Sequence, residues 1–92
     1  MSELSLDAFP HPAAHVRGRL LDGEAVIVLP DRGEVKVLNE VGAQIWTLAD
    51  GSRSVREIAA SVASVYQVSP AEAEADTVEF LRELLEKALI EF

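Results

Sequence analysis

The run EVKVLNEVGAQIWTLADG, residues 34–51, changes period in its middle, and that change decides how the chain folds. Up to Leu38 it alternates, with Val35 and Val37 on one side and Glu34, Lys36 and Leu38 on the other, as side chains must on a pleated strand. From Asn39 the spacing is helical, with Val41, Ile45 and Leu48, plus Trp46, on one stripe. Asn39 suits an N-cap, because its short amide oxygen can accept from a first-turn N–H that the helix leaves unpaired. Asp50-Gly51 supplies the stop, since glycine takes the left-handed backbone that closes a helix C-terminus. A strand therefore runs directly into a helix of about Glu40 to Ala49, dividing the chain into a β half and an α half.

Upstream, Glu24 to Leu29 is a continuous, β-branched run ended by Pro30, and Asp31-Arg32-Gly33 turns it into the strand above. Before it, Val16 to Leu21 alternates weakly and ends at Asp22-Gly23, a pair that tolerates the positive φ angles of a two-residue hairpin turn. Three strands over about Ala14 to Leu38 make an antiparallel meander. Residues 1–13 contain Pro10 and Pro12 and show neither period, so they are expected to form a flexible arm ahead of a domain over 14–92. Downstream, Ser54-Val55-Arg56-Glu57 is a capping box. It opens a helix to about Gln67 that buries Val55, Ile58, Ala59, Val62 and Val65. Ser69-Pro70-Ala71-Glu72 repeats the device with proline at the first helical position, opening a longer helix to about Ala88 with Ala73, Thr77, Phe80, Leu81, Leu84, Leu85 and Ala88 inward. Residues 89–92 read as a frayed end or a short extended tail. The expected class is α+β: a three-stranded antiparallel sheet followed by a three-helix bundle, winged-helix-like in order, with Trp46 in the core.

Ninety-two residues make one domain, and 49% hydrophobic with 26% charged residues is a globular composition, not a disordered one. The absence of cysteine excludes disulfides, thiolate metal sites and a thiol nucleophile. A formal charge of -8 repels phosphate backbones and anionic lipid, so neither nucleic acid nor a membrane is an expected partner. The longest apolar run, Ala25 to Leu29, is far short of the roughly 20 residues of a span. Residues Met1 to Asp7 carry acids where a targeting signal would carry Lys or Arg, which makes the cytoplasm the expected compartment. His11 and His15 lie in the proline-rich arm without a carboxylate beside them, and the glycines lie singly, so no metal, nucleotide or other cofactor is expected. No tuned acid–base or nucleophile group stands out, and the chain reads as not an enzyme. A carrier domain would need an Asp-Ser-Leu attachment site, where this chain has Asp50-Gly51-Ser52-Arg53. A winged-helix regulator would put Pro70 to Ala88 in a major groove, yet that helix carries Glu72, Glu74, Asp76, Glu79, Glu83 and Glu86 against Arg82 and Lys87.

The stretch Leu38 to Ile58, LNEVGAQIWTLADGSRSVREI, resembles the PqqD family: the small pyrroloquinoline quinone biosynthesis protein and its relatives, also called recognition elements of ribosomally made, post-translationally modified peptides (RiPPs). The family pattern of Leu-Asn, a small residue, Gly, Ile-Trp, Asp-Gly, Ser/Thr-Val and Glu-Ile is matched in order, Tyr66 and Val78 to Leu85 continue it, and the likeness covers about Val16 to Ile90. Ala88 departs from it, where relatives often carry glycine before a Leu-Ile pair. The caps and core residues explain most of the matched positions as scaffold.

The resemblance implies a non-catalytic chaperone that binds the leader of a precursor peptide and presents it to a separate modifying enzyme, often a radical S-adenosylmethionine protein. It also implies that the leader adds as a strand beside the third strand and rests on the third helix. The expected peptide-binding residues are Glu34, Val35, Lys36, Val37 and Leu38 on the strand, with main-chain bonds from Val35, Lys36 and Val37, and Ala73, Asp76, Thr77, Phe80 and Glu83 on the helix. Phe80 would form an apolar floor, and Asp76 and Glu83 would favour Lys or Arg beside an aliphatic anchor. An outer strand with unpaired amides and carbonyls accepts such a partner readily, and the same edge could instead meet its twin in a homodimer. Pyrroloquinoline quinone, lasso-peptide and other modified-peptide pathways share the scaffold, and a winged-helix transcriptional regulator is the alternative outside it.

Overall fold

The computed structural model describes residues 4–21, 24–29 and 33–92. Its elements are β1 (His11–Pro12), β2 (Arg17–Leu21), β3 (Glu24–Leu29), β4 (Glu34–Val37), α1 (Glu40–Leu48), α2 (Val55–Tyr66), α3 (Pro70–Glu86) and β5 (Ile90–Glu91). The meander is β2-β3-β4, antiparallel throughout, and β1 and β5 form a separate two-stranded sheet. The α+β reading therefore holds, with the period change at Asn39 marking the boundary between sheet and bundle. The tight turn expected at Asp22-Gly23 lies outside the described residues, as do Asp31 and Arg32 of the turn expected at Asp31-Arg32-Gly33, whose Gly33 takes a φ of 63°.

The register pairs Arg17 with Val28 and Arg19 with Val26 on one side of β3, and Val28 with Val35 and Val26 with Val37 on the other. Directly paired residues share a face, so Arg17, Arg19, Val26, Val28, Val35 and Val37 stand on one side of the sheet and Gly18, Ile27 and Lys36 on the other. Ile27 and Leu38 are buried, whereas Val35 and Val37 are 53% and 58% exposed. On β4 the more apolar face is thus the one that meets solvent.

The core gathers Ile27 and Leu38 with Ile45 of α1, Val55, Ile58 and Val62 of α2, and Ala73, Leu81 and Leu84 of α3. Each helix starts on the cap its sequence announces: Asn39 accepts from Gly42 N, Ser54 and Glu57 close a full capping box, and Ser69 accepts from Glu72 N. Three side chains depart from their expected burial, among them Ala88, which is exposed just past the end of α3. Val65 is exposed, because the buried stripe of α2 ends at Val62 and the half-buried Tyr66 continues it. Trp46 is half-buried on the flank of α1, against the core rather than within it, and its ring crosses the backbone of Gly18 on β2.

Residues 4–13, expected to be a flexible arm, are instead tied to the bundle. Leu4, Pro10 and Ala13 are buried. The reason is a hydrogen-bond deficit at the start of α2, where the first-turn amides have no partner inside the helix. The capping box satisfies Glu57 N, and the arm supplies the rest: Val55 N donates to Ala8 O at 3.0 Å and Arg56 N to Leu6 O at 2.9 Å. Gly51 N donates to Pro10 O at 2.9 Å in the turn just before. Proline removes donors, but a segment acting as an acceptor loses nothing by it.

The chain's last residues are likewise anchored and not frayed. Leu89 N donates to Leu84 O at 2.9 Å and Ala88 N to Leu85 O at 3.0 Å, the two bonds of a Schellman closure, with Ala88 at φ 58° in the left-handed position. Leu89 and Ile90 are then buried, and β5 pairs with β1 through Pro12↔Ile90 and His11↔Glu91. This accounts for the departure from the family pattern: the backbone has the conformation glycine prefers, and alanine carries it with strain. Ala88→Gly is expected to stabilise the fold by about 1 kcal/mol, the left-handed penalty less the entropy glycine adds to the unfolded chain. Urea unfolding would report it as a higher midpoint at constant slope; a lower midpoint would contradict the assignment of strain.

Candidate functional site

The outer edge of β4 can be read bond by bond. Leu38 N donates to Ala25 O at 2.9 Å, so this pair is a hydrogen-bonded one. Bonded and non-bonded pairs alternate along antiparallel strands, which makes Lys36–Ile27 bonded and Val37–Val26 and Val35–Val28 non-bonded. Lys36 therefore turns its N–H and C=O towards β3, and Val35 and Val37 turn theirs to the free edge. The expectation of main-chain bonds from all three residues is corrected on this point: an added strand would find two of them, Val35 and Val37. Glu34 pairs with Leu29 inside the sheet.

Beneath the edge, Lys36 reaches α3, where its Nζ lies 2.8 Å from Glu83 Oε1. Lys87 Nζ approaches the same oxygen at 3.3 Å. The hydrogen bond from Lys36, and then that from Lys87, hold the Glu83 carboxyl below the usual glutamate value.

Beside this bridge is a hollow of about 290 Å³ between α1 and α3. Val41, Gly42 and Ile45 on α1 and Phe80 on α3 line its apolar part; Asp76, Glu79 and Glu83 also line it, together with Asn39 at the helix cap. Gly42 has a steric role here. A Cβ added to it would lie 3.1 Å from Phe80 Cε1 and 3.1 Å from the Asn39 oxygen that caps the helix, closer than such contacts normally run. The glycine thus lets the Phe80 ring approach α1 without disturbing the cap.

Of the ten residues expected at the site, Asp76, Phe80 and Glu83 line the hollow, and Val35 and Val37 carry the free edge. Lys36 meets the site through its side chain. Ala73 and Thr77 do not line the hollow: both are fully buried, and Leu38 is buried beneath the sheet. The physical reason is the helical rotation of about 100° per residue, which puts Asp76, Glu79, Phe80 and Glu83 on one face and Ala73, Thr77, Leu81 and Leu84 on the next. The α1 wall and Glu79 were not expected from the sequence. Gly42 was the available signal, because a glycine inside a helix is costly and marks a close approach.

The arrangement can hold an extended chain and seat one apolar side chain among carboxylates. Among the described residues, no group of three or more His, Asp or Glu is placed to hold a metal ion, and no helix is long and apolar enough to cross a membrane.

Comparison with known proteins agrees with this geometry. The profile of the PqqD family, described as coenzyme PQQ synthesis protein D, matches residues 24–90. The structure of TbiB1 in complex with the TbiA(beta) leader peptide superposes with a TM-score of 0.78 at 30% identity, over 88% of this chain and 94% of that one. The solution NMR structure of the PqqD truncation of Methylobacterium extorquens PqqCD, described as a functional and stand-alone RiPP recognition element, gives 0.74 at 27% identity over 90% and 88%. Lasso peptide synthetase B1 complexed with its leader peptide gives 0.83 over 92% and 100%, and at 22% identity it speaks for the fold alone. No curated protein sequence matches the chain.

Proposed function

Because the chain belongs to the PqqD family, we propose that it is a leader-binding module that takes the precursor of a modified peptide as a fourth strand on β4. One observation carries the reading: Val35 and Val37, whose outward backbone has no strand beside it among the described residues, flank Lys36, which bridges to Glu83 of a hollow with an apolar floor and three carboxylates. Main-chain bonds would fix the leader's register, and alternate side chains would then point either to the exposed valine face or down towards Lys36 and the hollow. An aliphatic leader residue would rest on Val41, Ile45 and Phe80, with Lys or Arg close by in sequence to meet Asp76, Glu79 or Glu83. The chain itself would be non-catalytic and act in the cytoplasm. It would hand the bound leader to a separate modifying enzyme, such as a radical S-adenosylmethionine protein, in a pyrroloquinoline quinone, lasso-peptide or related pathway.

Titration with a synthetic leader from the precursor encoded beside this gene tests the reading. Asp76→Lys should weaken binding about fivefold, roughly 1 kcal/mol, and the loss should shrink as salt screens it, because Asp76 is exposed. A loss that salt leaves untouched would argue against charge selection. A protein that ignores the leader but binds duplex DNA at moderate salt would favour a transcriptional regulator.

A further inference from the structure

Across α1 from the leader site lies a second, larger hollow of about 890 Å³, between the helix and the other outer strand, β2. Gly18 and Arg19 of β2, Glu40, Gln44 and Trp46 of α1, and Tyr66 at the end of α2 line it. These are the chain's one tryptophan and one tyrosine, and both are only partly buried. Tyr66 is held in place by its hydroxyl, which donates to Glu40 O at 3.2 Å. Trp, Tyr and Arg are the residue types that most often carry the binding energy of protein interfaces, and one of each lines this hollow, Arg19 from the face of β2 opposite to the one that meets Trp46.

The charges are sorted in the same direction. Lys36, Arg53, Arg56 and Lys87 are each paired with a carboxylate. Arg17 donates instead to the carbonyls of Ala14 and Val16, at 2.9 and 3.1 Å, and Arg19 forms no ion pair among the described residues. In a protein of net charge -8, β2 thus presents two arginines without carboxylate partners among the described residues, as α3 presents Arg82, while Glu83 of α3 lies beside β4. The β2 edge is also open. Since Ile27 and Ala25 turn their backbone groups to β4, Val26 and Val28 turn theirs to Arg19 and Arg17, which leaves the Gly18 N–H and C=O facing outward.

We propose that this hollow docks the modifying enzyme, through a segment that places a carboxylate on Arg19 and an apolar side chain against Trp46 and Tyr66. The proposal rests on the leader-binding reading above: a leader held on β4 leaves the β2 side free for the enzyme that receives it. Asn39 lines both hollows, so the enzyme would sit one helix turn from the bound leader. The acidic partner follows from charge complementarity, which sets both specificity and encounter rate at such surfaces.

Trp46 is the only tryptophan, so protein labelled with 5-fluorotryptophan gives one fluorine NMR signal from inside the hollow. Two probes are added separately: the synthetic leader, and the purified modifying enzyme encoded beside its precursor. The enzyme is expected to shift or broaden the signal and the leader to leave it in place. Arg19→Glu should weaken enzyme binding tenfold or more while leader affinity stays unchanged. The proposal is overturned if the enzyme does not bind, if it binds without moving the Trp46 signal, or if Arg19→Glu binds it as well as the wild type. Self-association of the free chain that Arg19→Glu abolishes would make a second copy the occupant and overturn it equally. If the enzyme binds at Trp46 but the leader binds nowhere, the docking site stands and the leader-binding reading falls.

Discussion

Val37→Pro is expected to keep the fold and lose the leader, whereas Lys36→Pro is expected to lose the sheet. The two residues are neighbours on one strand, but their backbone amides point in opposite directions. The Lys36 amide faces Ile27, so proline there removes a ladder bond inside the sheet and sets its ring against β3. The Val37 amide faces the free edge, where proline is tolerated in native sheets. In Val37→Pro the added strand would lose a main-chain donor and meet the bulk of the ring, and its affinity should fall about thirtyfold, roughly 2 kcal/mol. Circular dichroism and thermal melts establish that the variant is folded; calorimetric titration with the synthetic leader then gives the answer. A folded Val37→Pro that binds as well as the wild type would move the peptide off β4 altogether.

Gly18→Ala is expected to destabilise the protein by about 2 kcal/mol, although a single methyl group is all it adds. A Cβ on Gly18 would run into Trp46 Nε1, and it would also lie 3.2 Å from Cδ1 and 3.3 Å from Cε2 of the same ring. Gly18 faces the indole from a strand whose register is fixed against β3, so the ring is the first part that has to give. The ring must leave its rotamer or the strand must shift, and overpacking of that kind costs roughly 1–3 kcal/mol. Elsewhere in a strand, glycine to alanine would slightly stabilise, so the sign alone is informative. For a domain of this size the melting temperature should drop roughly 10 °C, and tryptophan emission should move to the red as the indole becomes wetter. Trp46→Leu in the same chain should recover much of the loss, because the two changes act on one contact. An unchanged melt in Gly18→Ala would show that the ring is free to move aside.

The elements were legible because each is announced by local chemistry: an alternation broken at Asn39, three caps at Asn39, Ser54 and Ser69, and glycine at φ 88° in Gly51. What the sequence does not carry is direction in space. Val35 and Val37 alternate as a strand should, but only the fold makes theirs the solvent face and puts Lys36 against Glu83. The same limit explains Ala73 and Thr77, which lie within one turn of Asp76 and Phe80 yet pack into the core, and the α1 wall of the hollow, which only the packing of α1 against α3 creates. The N-terminal segment is illegible for a related reason. Its role is to accept hydrogen bonds from residues some forty to fifty positions away, and acceptors leave no periodic trace.

The pairing of β1 with β5 has a topological consequence. His11 lies opposite Glu91, so the first and last strands of the domain run side by side in a ribbon that shares no strand with the β2-β3-β4 sheet. A polypeptide whose first and last strands pair in this way can be circularly permuted, or spliced into a loop of a larger protein, with little demand on either partner. A linker that joins residue 92 to the N-terminus, with the backbone opened between β3 and β4, should regenerate the same bundle. The architecture is thus as well suited to being a covalent insert within an enzyme as to acting as a separate protein.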